Sequence, residues 1–310
     1  NCTQWTSTGA SSVGAVGSRA VVLGSKSYLM GGCRYWGKDE DGKDPELSGS
    51  GWGLNCLDTV LRSYSTADFA SFANNTANQT FATTDGTAPV FPKRFVKSNS
   101  SHYNMVTTFN DKIYWKGGLS FSFGMLQFSE NHMLSSADGI SWTEITPAES
   151  ASNVTRLPAF YSFKGKLWMV GGFKSFISAA NLLNTIKSTT DATTWTTETD
   201  TLATKMMGPT IVVNKSGTTA YMFGGLYNNG TDFVASNKVY KSSDGLKWTE
   251  VEVNSDYAGG VMPAVVVDDN NIAWVFPRYA TKLGNYFYSI TADDVKGNLK
   301  YDVWAFALDK

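Results

Sequence analysis

The chain is poor in the residues that most often carry chemistry. It holds two histidines and three cysteines in 310 residues, and only 17% of its side chains are charged. His102 and His132 are not spaced as paired metal ligands, which argues against a copper or zinc centre built on imidazoles. Six arginines and a formal net charge of -1 remove the electrostatic case for nucleic acid or an anionic membrane as the main partner. No apolar run approaches the length of a membrane-spanning helix. Helical periodicity is missing over any useful length. Aromatic residues, in contrast, reach 14%, and a chain of this size buries a large core. That balance favours an all-β extracellular domain over a helical cytosolic one.

Three related stretches organise the aromatics: "SSADGISWTEI" from Ser135, "KSTTDATTWTTET" from Lys187 and "KSSDGLKWTEV" from Lys241. Each places an Asp four residues before a Trp: Asp138 and Trp142, Asp191 and Trp195, Asp244 and Trp248. A Ser or Thr two residues before the Asp supplies a second short acceptor. Such oxygens bond the backbone of a tight turn, and Gly139 or Gly245 provides the positive φ such turns use. The Trp then falls on a short strand as a packing residue. Successive Trp residues stand 53 residues apart, a period in the range of propeller blades.

A Gly-Gly keeps step with the Trp. It closes a short apolar run in "IYWKGG", "LWMVGG" and "AYMFGG", about 24 residues before the Trp, and "YLMGG" at Gly31 and Gly32 adds a fourth copy. The turn of that first unit is "STADFASF", with Asp68 and Phe72 in the places of Asp and Trp. Upstream of each Gly-Gly runs another apolar strand ending in a short polar turn. The fifth unit, "PAVVVDDNNIAWVF", has Phe276 and Pro277 in place of the glycines, and "YDVWAFALDK" is expected as its third strand, with Asp309 opening a turn. Its Trp strand is missing, while "CTQWTST" near the start supplies a spare one with Trp5. The expectation is therefore one domain, residues 1–310, forming a single closed β-propeller of four-stranded blades. The repeats fall near 11–72, 102–142, 156–195, 207–248 and 260–310 plus 1–8, with the N-terminal strand closing the last blade and leaving no free edge.

These residues resemble the Kelch-repeat β-propeller family, the galactose-oxidase-like group whose blades carry Gly-Gly after the second strand and Trp on the fourth. The Asp turns are similar to the Asp-box hairpins of sialidase-like propellers, with the Trp one residue sooner. The resemblance covers nearly the whole chain and implies fold rather than activity. The chain departs from it in unit five, which lacks the glycines, and in having five units where the family more often has six or seven. Six blades are the alternative to five.

The beginning at Asn1 without Met reads as a mature chain after loss of a leader. Seven Asn-x-Ser/Thr triplets, at Asn1, Asn74, Asn78, Asn99, Asn153, Asn214 and Asn229, all fall in expected loops, turns or the terminus and are candidate glycosylation sites. The expected location is secreted or at the cell surface, with a bacterial envelope or exported protein as the alternative. Cys33 and Cys56 bracket an insertion and are a candidate disulfide at its base, leaving Cys2 single.

In a four-stranded blade the first and third connections emerge at one end and the others at the opposite end. Here the first set is short, and the second is long: residues 33–57, 73–101, 119–127, 173–183, 226–236 and 277–299. The long-loop face is therefore the expected binding face. Its candidate residues are Tyr35, Trp36 and Trp52 in the insertion, and Phe121, Phe123, Phe173, Phe176, Tyr227 and Tyr279 elsewhere. Such rings stack on sugars or anchor a protein partner, or else cover one another beneath the loops. His102 and Arg156, in register at the entry of inner strands, Arg19, three residues further along the first such strand, and Arg278 beside Tyr279, are candidates to bind an anion at a channel mouth; the plainer reading of these charges is rim solvation. Asp39, Asp41, Asp44 and Glu46 around Gly42 form a calcium candidate lacking the full EF-hand pattern, against the simpler reading of a solvated acidic loop.

Two functions follow. One is a secreted, noncatalytic recognition or assembly module that binds protein or glycan through the long-loop face, with no cofactor beyond a possible calcium ion. The other is a carbohydrate-active propeller enzyme, of mutarotase, lyase or sialidase-like type, acting at the channel mouth. The first is preferred because no convergent acid, base and electrophile are visible, and a sialidase-like site would need an arginine cluster and a Tyr/Glu pair that spacing does not supply.

Overall fold

The structure, a computed structural model, describes residues 19–30, 34–35, 54–55, 63–67, 73–74, 80–83, 105–116, 119–122, 125–128, 133–145, 155–174, 179–253, 257, 259–276 and 303–309. Every described element is a β-strand apart from one 3-10 turn at Ala179–Asn181. The chain divides into two compact units, residues 1–145 and 146–310.

In the first unit, β1 (Arg19–Leu23), β2 (Lys26–Met30), β3 (Arg34–Tyr35), β4 (Leu54–Asn55), β5 (Ser63–Thr66) and β6 (Ala73–Asn74) come first. β1, β2, β5 and β6 form a four-stranded antiparallel sheet in that order, while β3 and β4 pair as a two-stranded ladder at the base of the insertion. Then follow β7 (Thr80–Thr83), β8 (Met105–Phe109), β9 (Lys112–Lys116), β10 (Leu119–Ser122), β11 (Met125–Phe128), β12 (Met133–Ser136) and β13 (Ser141–Ile145). β8, β9, β12 and β13 make the second antiparallel sheet, and β7 adds a fifth strand parallel to β13 along its outer edge.

The second unit repeats this pattern. Its strands are β14 (Ala159–Phe163), β15 (Lys166–Val170), β16 (Thr185–Thr189), β17 (Thr196–Thr201), β18 (Met206–Met207), β19 (Thr210–Val213), β20 (Ala220–Phe223), β21 (Leu226–Asn228), β22 (Phe233–Ala235), β23 (Val239–Ser242), β24 (Thr249–Val251), β25 (Ala264–Val267), β26 (Ile272–Phe276) and β27 (Trp304–Ala307). β14 to β17 form one four-stranded sheet, and β19, β20, β23 and β24 form the next. β25, β26 and β27 form a three-stranded sheet, so the expected third strand of the fifth unit pairs with its second as the pattern requires.

Within each unit consecutive sheets pack face to face, with their first strands adjacent: β1 beside β8 in the first, and β14 beside β19 beside β25 in the second. Side chains alternate along each strand, so every second residue enters the layer between neighbouring sheets. Tyr28, Met30, Ile113, Trp115, Leu134 and Trp142 fill one such layer. Tyr161, Trp168, Val170, Ile211 and Met222 fill another, and Tyr221, Phe223, Val275 and Leu308 a third.

The Gly-Gly pairs stitch one sheet to the next. Gly224 and Gly225 have φ of 67° and 106°, and the Gly225 amide donates to Gly260 O at 2.8 Å. A Cβ on Gly224 would sit 2.2 Å from that same carbonyl. Gly172 repeats the device, donating to Met206 O at 2.7 Å. Only a residue without Cβ permits both the positive φ and this approach.

Two expectations are corrected and one open alternative is decided. The stretches 73–101 and 119–127, expected as loops, contain β6 and β7 and the hairpin β10–β11. Strands of two to four residues pair through backbone groups and carry too little pattern to be recognised. Trp195 and Trp248 are only half-buried and precede their strands, whereas Trp142 lies within β13 at 1% exposure. Phe173, for which the sequence leaves open both an exposed anchor and a ring covered beneath the loops, is completely buried, with bridges to Arg156 on one side and Leu182 on the other.

Candidate functional site

At the short-turn end the polar side chains are occupied by the backbone. Asp138 Oδ1 accepts the amides of Ile140 and Ser141, both at 2.7 Å; Asp191 Oδ1 accepts those of Thr193 and Thr194; Asp244 Oδ1 accepts those of Leu246 and Lys247. Ser136, Thr189 and Ser242 each donate a hydroxyl to the Asp and accept the amide of residue 139, 192 or 245. Trp142 and Trp248 close the turn by donating Nε1–H to Gly139 O and Gly245 O at 3.2 Å. Ala192 replaces the glycine in the middle copy at φ 65°, and Trp195 Nε1 has no partner there.

These bonds fix the charge state. Amide donation from Thr194 and Thr193 and the Thr189 hydroxyl hold the Asp191 carboxyl well below the ordinary range. For Asp138 and Asp244, partial burial works the other way, and the amide and hydroxyl donors outweigh it. Asp138 and Asp244 each also act on a Tyr of the preceding sheet. Burial, then the charge of Asp138, raises the Tyr28 phenol, and burial with Asp244 does the same to Tyr161.

The fifth unit ends in a denser polar node. Asp309 Oδ1 accepts Tyr221 OH at 2.9 Å, while Oδ2 accepts Nδ2 of Asn271 at 2.9 Å and of Asn214 at 2.5 Å. Asn214 is 3% exposed, and its Oδ1 takes the amides of Thr218 and Thr219. Every group in this node has a partner, so it serves structure rather than turnover.

At the opposite end, added elements build upon the sheets: the ladder β3–β4, the hairpin β10–β11, and the three-stranded β18–β21–β22. Arg156 is half-buried there. Its Nη1 donates to Lys174 O, its buried Nε has no hydrogen-bond partner among the described residues, and burial weakens its hold on the proton without discharging it. A desolvated guanidinium of this kind suits a carboxylate or other oxyanion. Tyr227 packs half-buried against the neighbouring core, and Asn229 stands exposed at the tip of the β21–β22 hairpin.

Of the other expected site residues, Arg19 begins β1, Tyr35 lies in β3, Phe121 in β10 and Asn74 in β6. Trp36, Trp52, Phe123, Phe176, His102, Arg278 and Tyr279 lie outside the described residues, as do Cys33, Cys56, Asp39, Asp41, Asp44, Glu46, Asn1, Asn78, Asn99 and Asn153. Among the described residues no three His, Cys, Asp or Glu side chains gather as metal ligands, and no helix is long and apolar enough to cross a membrane. Sequence reading missed the Tyr–Asp pairs and the Asn214 node, since their partners stand far apart in the chain. No protein-family model and no curated protein matches the sequence.

Proposed function

We propose that this chain is a secreted, noncatalytic recognition or assembly module, a Kelch-like β-propeller that binds protein or glycan through its long-loop face. The observation that carries the reading is the division of labour between the two ends of the sheets. At one end Asp138, Asp191, Asp244 and Asn214 are consumed by turn amides. At the other, β3–β4, β10–β11 and β18–β21–β22 add surface beyond what the sheets need. Function on a rigid scaffold tends to lie in such additions.

Two parts of the proposal concern architecture. The propeller is closed by residues 3–8 pairing beside β27, whose sheet has three described strands where each of the other four repeat sheets has four or five. A Cys33–Cys56 disulfide staples the insertion, and the antiparallel pair Arg34–Asn55 supports that reading, since each partner is next in sequence to one of the cysteines.

The alternative is a carbohydrate-active enzyme. One observation favours it: the half-buried Arg156, whose buried Nε has no hydrogen-bond partner among the described residues, would suit the carboxylate of an acidic sugar. Incubating the purified protein with acidic and neutral oligosaccharides, while recording both retention and product masses, separates the readings. Retention of a ligand with unchanged mass is expected. Steady turnover that Arg156→Ala abolishes would replace the recognition reading with the enzymatic one.

A further inference from the structure

Among the seven Asn-x-Ser/Thr triplets, two have side chains that the structure describes, and their environments are opposite. Asn214, in Asn214-Lys215-Ser216, is 3% exposed. Both hydrogens of its Nδ2 are engaged, one toward Thr218 Oγ1 at 3.0 Å and one toward Asp309 Oδ2 at 2.5 Å. Its Oδ1 accepts two amides, and Ser216 Oγ is bonded to Thr218 Oγ1. Asn229, in Asn229-Gly230-Thr231, projects from the β21–β22 hairpin and is exposed. Its Oδ1 accepts the amides of Thr231 and Asp232 and the Thr231 hydroxyl at 2.9 to 3.0 Å, which leaves Nδ2 of this exposed side chain without a bond among the described residues.

We propose that Asn229 carries an N-linked oligosaccharide and that Asn214 is a structural asparagine that excludes one. The proposal rests on the extracellular reading given above. In the transfer, Asn229 Nδ2 attacks the anomeric carbon of the first sugar of a lipid-diphosphate-linked oligosaccharide. The N–C bond forms as the bond from that carbon to the diphosphate oxygen breaks; the amide gives one proton to the transferase base, and the lipid diphosphate leaves with the electron pair. Asn229 keeps all three acceptor contacts afterwards, since they use only its oxygen, and the glycan extends into solvent. Asn214 has no such freedom. A sugar there replaces a hydrogen already committed to Thr218 or Asp309 and must occupy buried space, so a chain modified at Asn214 loses the node that ties Asp309 to the turn at residues 214–219.

The test is the full chain secreted from a eukaryotic host behind a foreign leader, purified as folded monomer, and deglycosylated enzymatically in heavy-oxygen water so that each formerly glycosylated Asn becomes a labelled Asp. Label at Asn229 in most molecules and none at Asn214 is expected, with Thr231→Val abolishing the first. Label at Asn214 in folded protein, or a bare Asn229, overturns the proposal. Unglycosylated protein made in a bacterial cytoplasm gives an independent readout: Asn214→Gln should lower the melting temperature by several degrees and by clearly more than Asn229→Gln, whose lost contacts are exposed, and equal melting of the two would also overturn it. Protein from the native source with no labelled Asn at all contradicts the extracellular reading, whereas failure in the secreting host contradicts the Asn229 assignment itself.

Discussion

The Tyr221 hydroxyl and Asp309, 88 residues apart, bond each other twice: the phenol donates to Asp309 Oδ1 at 2.9 Å and accepts the Asp309 amide at 2.9 Å. Tyr221 belongs to β20 and Asp309 follows β27, so this reciprocal contact locks one sheet to the next. Tyr28 with Asp138 and Tyr161 with Asp244 are placed in the same relation, as electrostatic neighbours across sheets. Asp138 and Asp244 thus do two tasks, ordering their own turns and acting on a Tyr of the adjoining sheet.

Tyr221→Phe removes both bonds and leaves the ring in place. A loss of about 1–3 kcal/mol in unfolding free energy is expected, the range for a hydrogen bond to a charged group and a stranded amide. Denaturant titration measures it, and an unchanged midpoint would mean that the contact contributes nothing.

Trp142 and Trp195 should differ, although they occupy the same place in the repeat. Trp142 is fully buried with its edge toward Trp115 at 5.9 Å, so Trp142→Ala should cost roughly 3–5 kcal/mol. Trp195 is half-buried with an unbonded Nε1, so Trp195→Ala should cost clearly less. Equal losses in the two melting curves would contradict this.

The Asp turns predict acid sensitivity. Amide donors depress the folded pKa of Asp191, Asp138 and Asp244 below that of an unfolded Asp, about 3.9. A depressed carboxylate contributes stability that is present above the unfolded pKa and is lost as pH falls through the folded one. Urea midpoints should therefore decline below about pH 4, and the triple variant Asp138→Asn, Asp191→Asn, Asp244→Asn should flatten that decline. A wild-type curve as flat as the variant's would count against the turns as its source.

If residues 3–8 pair beside β27, their removal should expose that strand. Amide exchange at Trp304–Ala307 is expected to accelerate in a chain lacking residues 1–8, with β15 and β16 unaffected. Unchanged protection of β27 would remove the closing strand from the account.

Much of the sheet pattern was legible because it depends on short, repeated chemistry. Trp at a period of 53, Asp four residues before it and Gly-Gly after an apolar run each report a local backbone need, and β12–β13, β16–β17 and β23–β24 stand where they point. The parallel strand β7 was invisible, since Thr80–Thr83 takes its place by pairing with β13, some sixty residues later. Burial of Phe173 was hidden for the same reason: two bridges, to Arg156 and Leu182, enclose it within a stretch that reads as loop. Asn214 illustrates the limit for site residues. Its triplet looks identical to an acceptor sequence, and only the distant Asp309 reveals its structural use.

The recognition face is tested most directly by comparing Trp36→Ala and Trp52→Ala, in the insertion, with Lys164→Ala in the exposed turn between β14 and β15, on glycan arrays and in pulldowns of extracellular proteins from the native source. Wild-type binding should survive Lys164→Ala and fall at least tenfold in one or both tryptophan variants, all three folding normally, as truncation of a central aromatic anchor does at about 1.4 kcal/mol or more. Equal binding by all three folded variants would contradict the claim that the long-loop insertion is the element that recognises the partner.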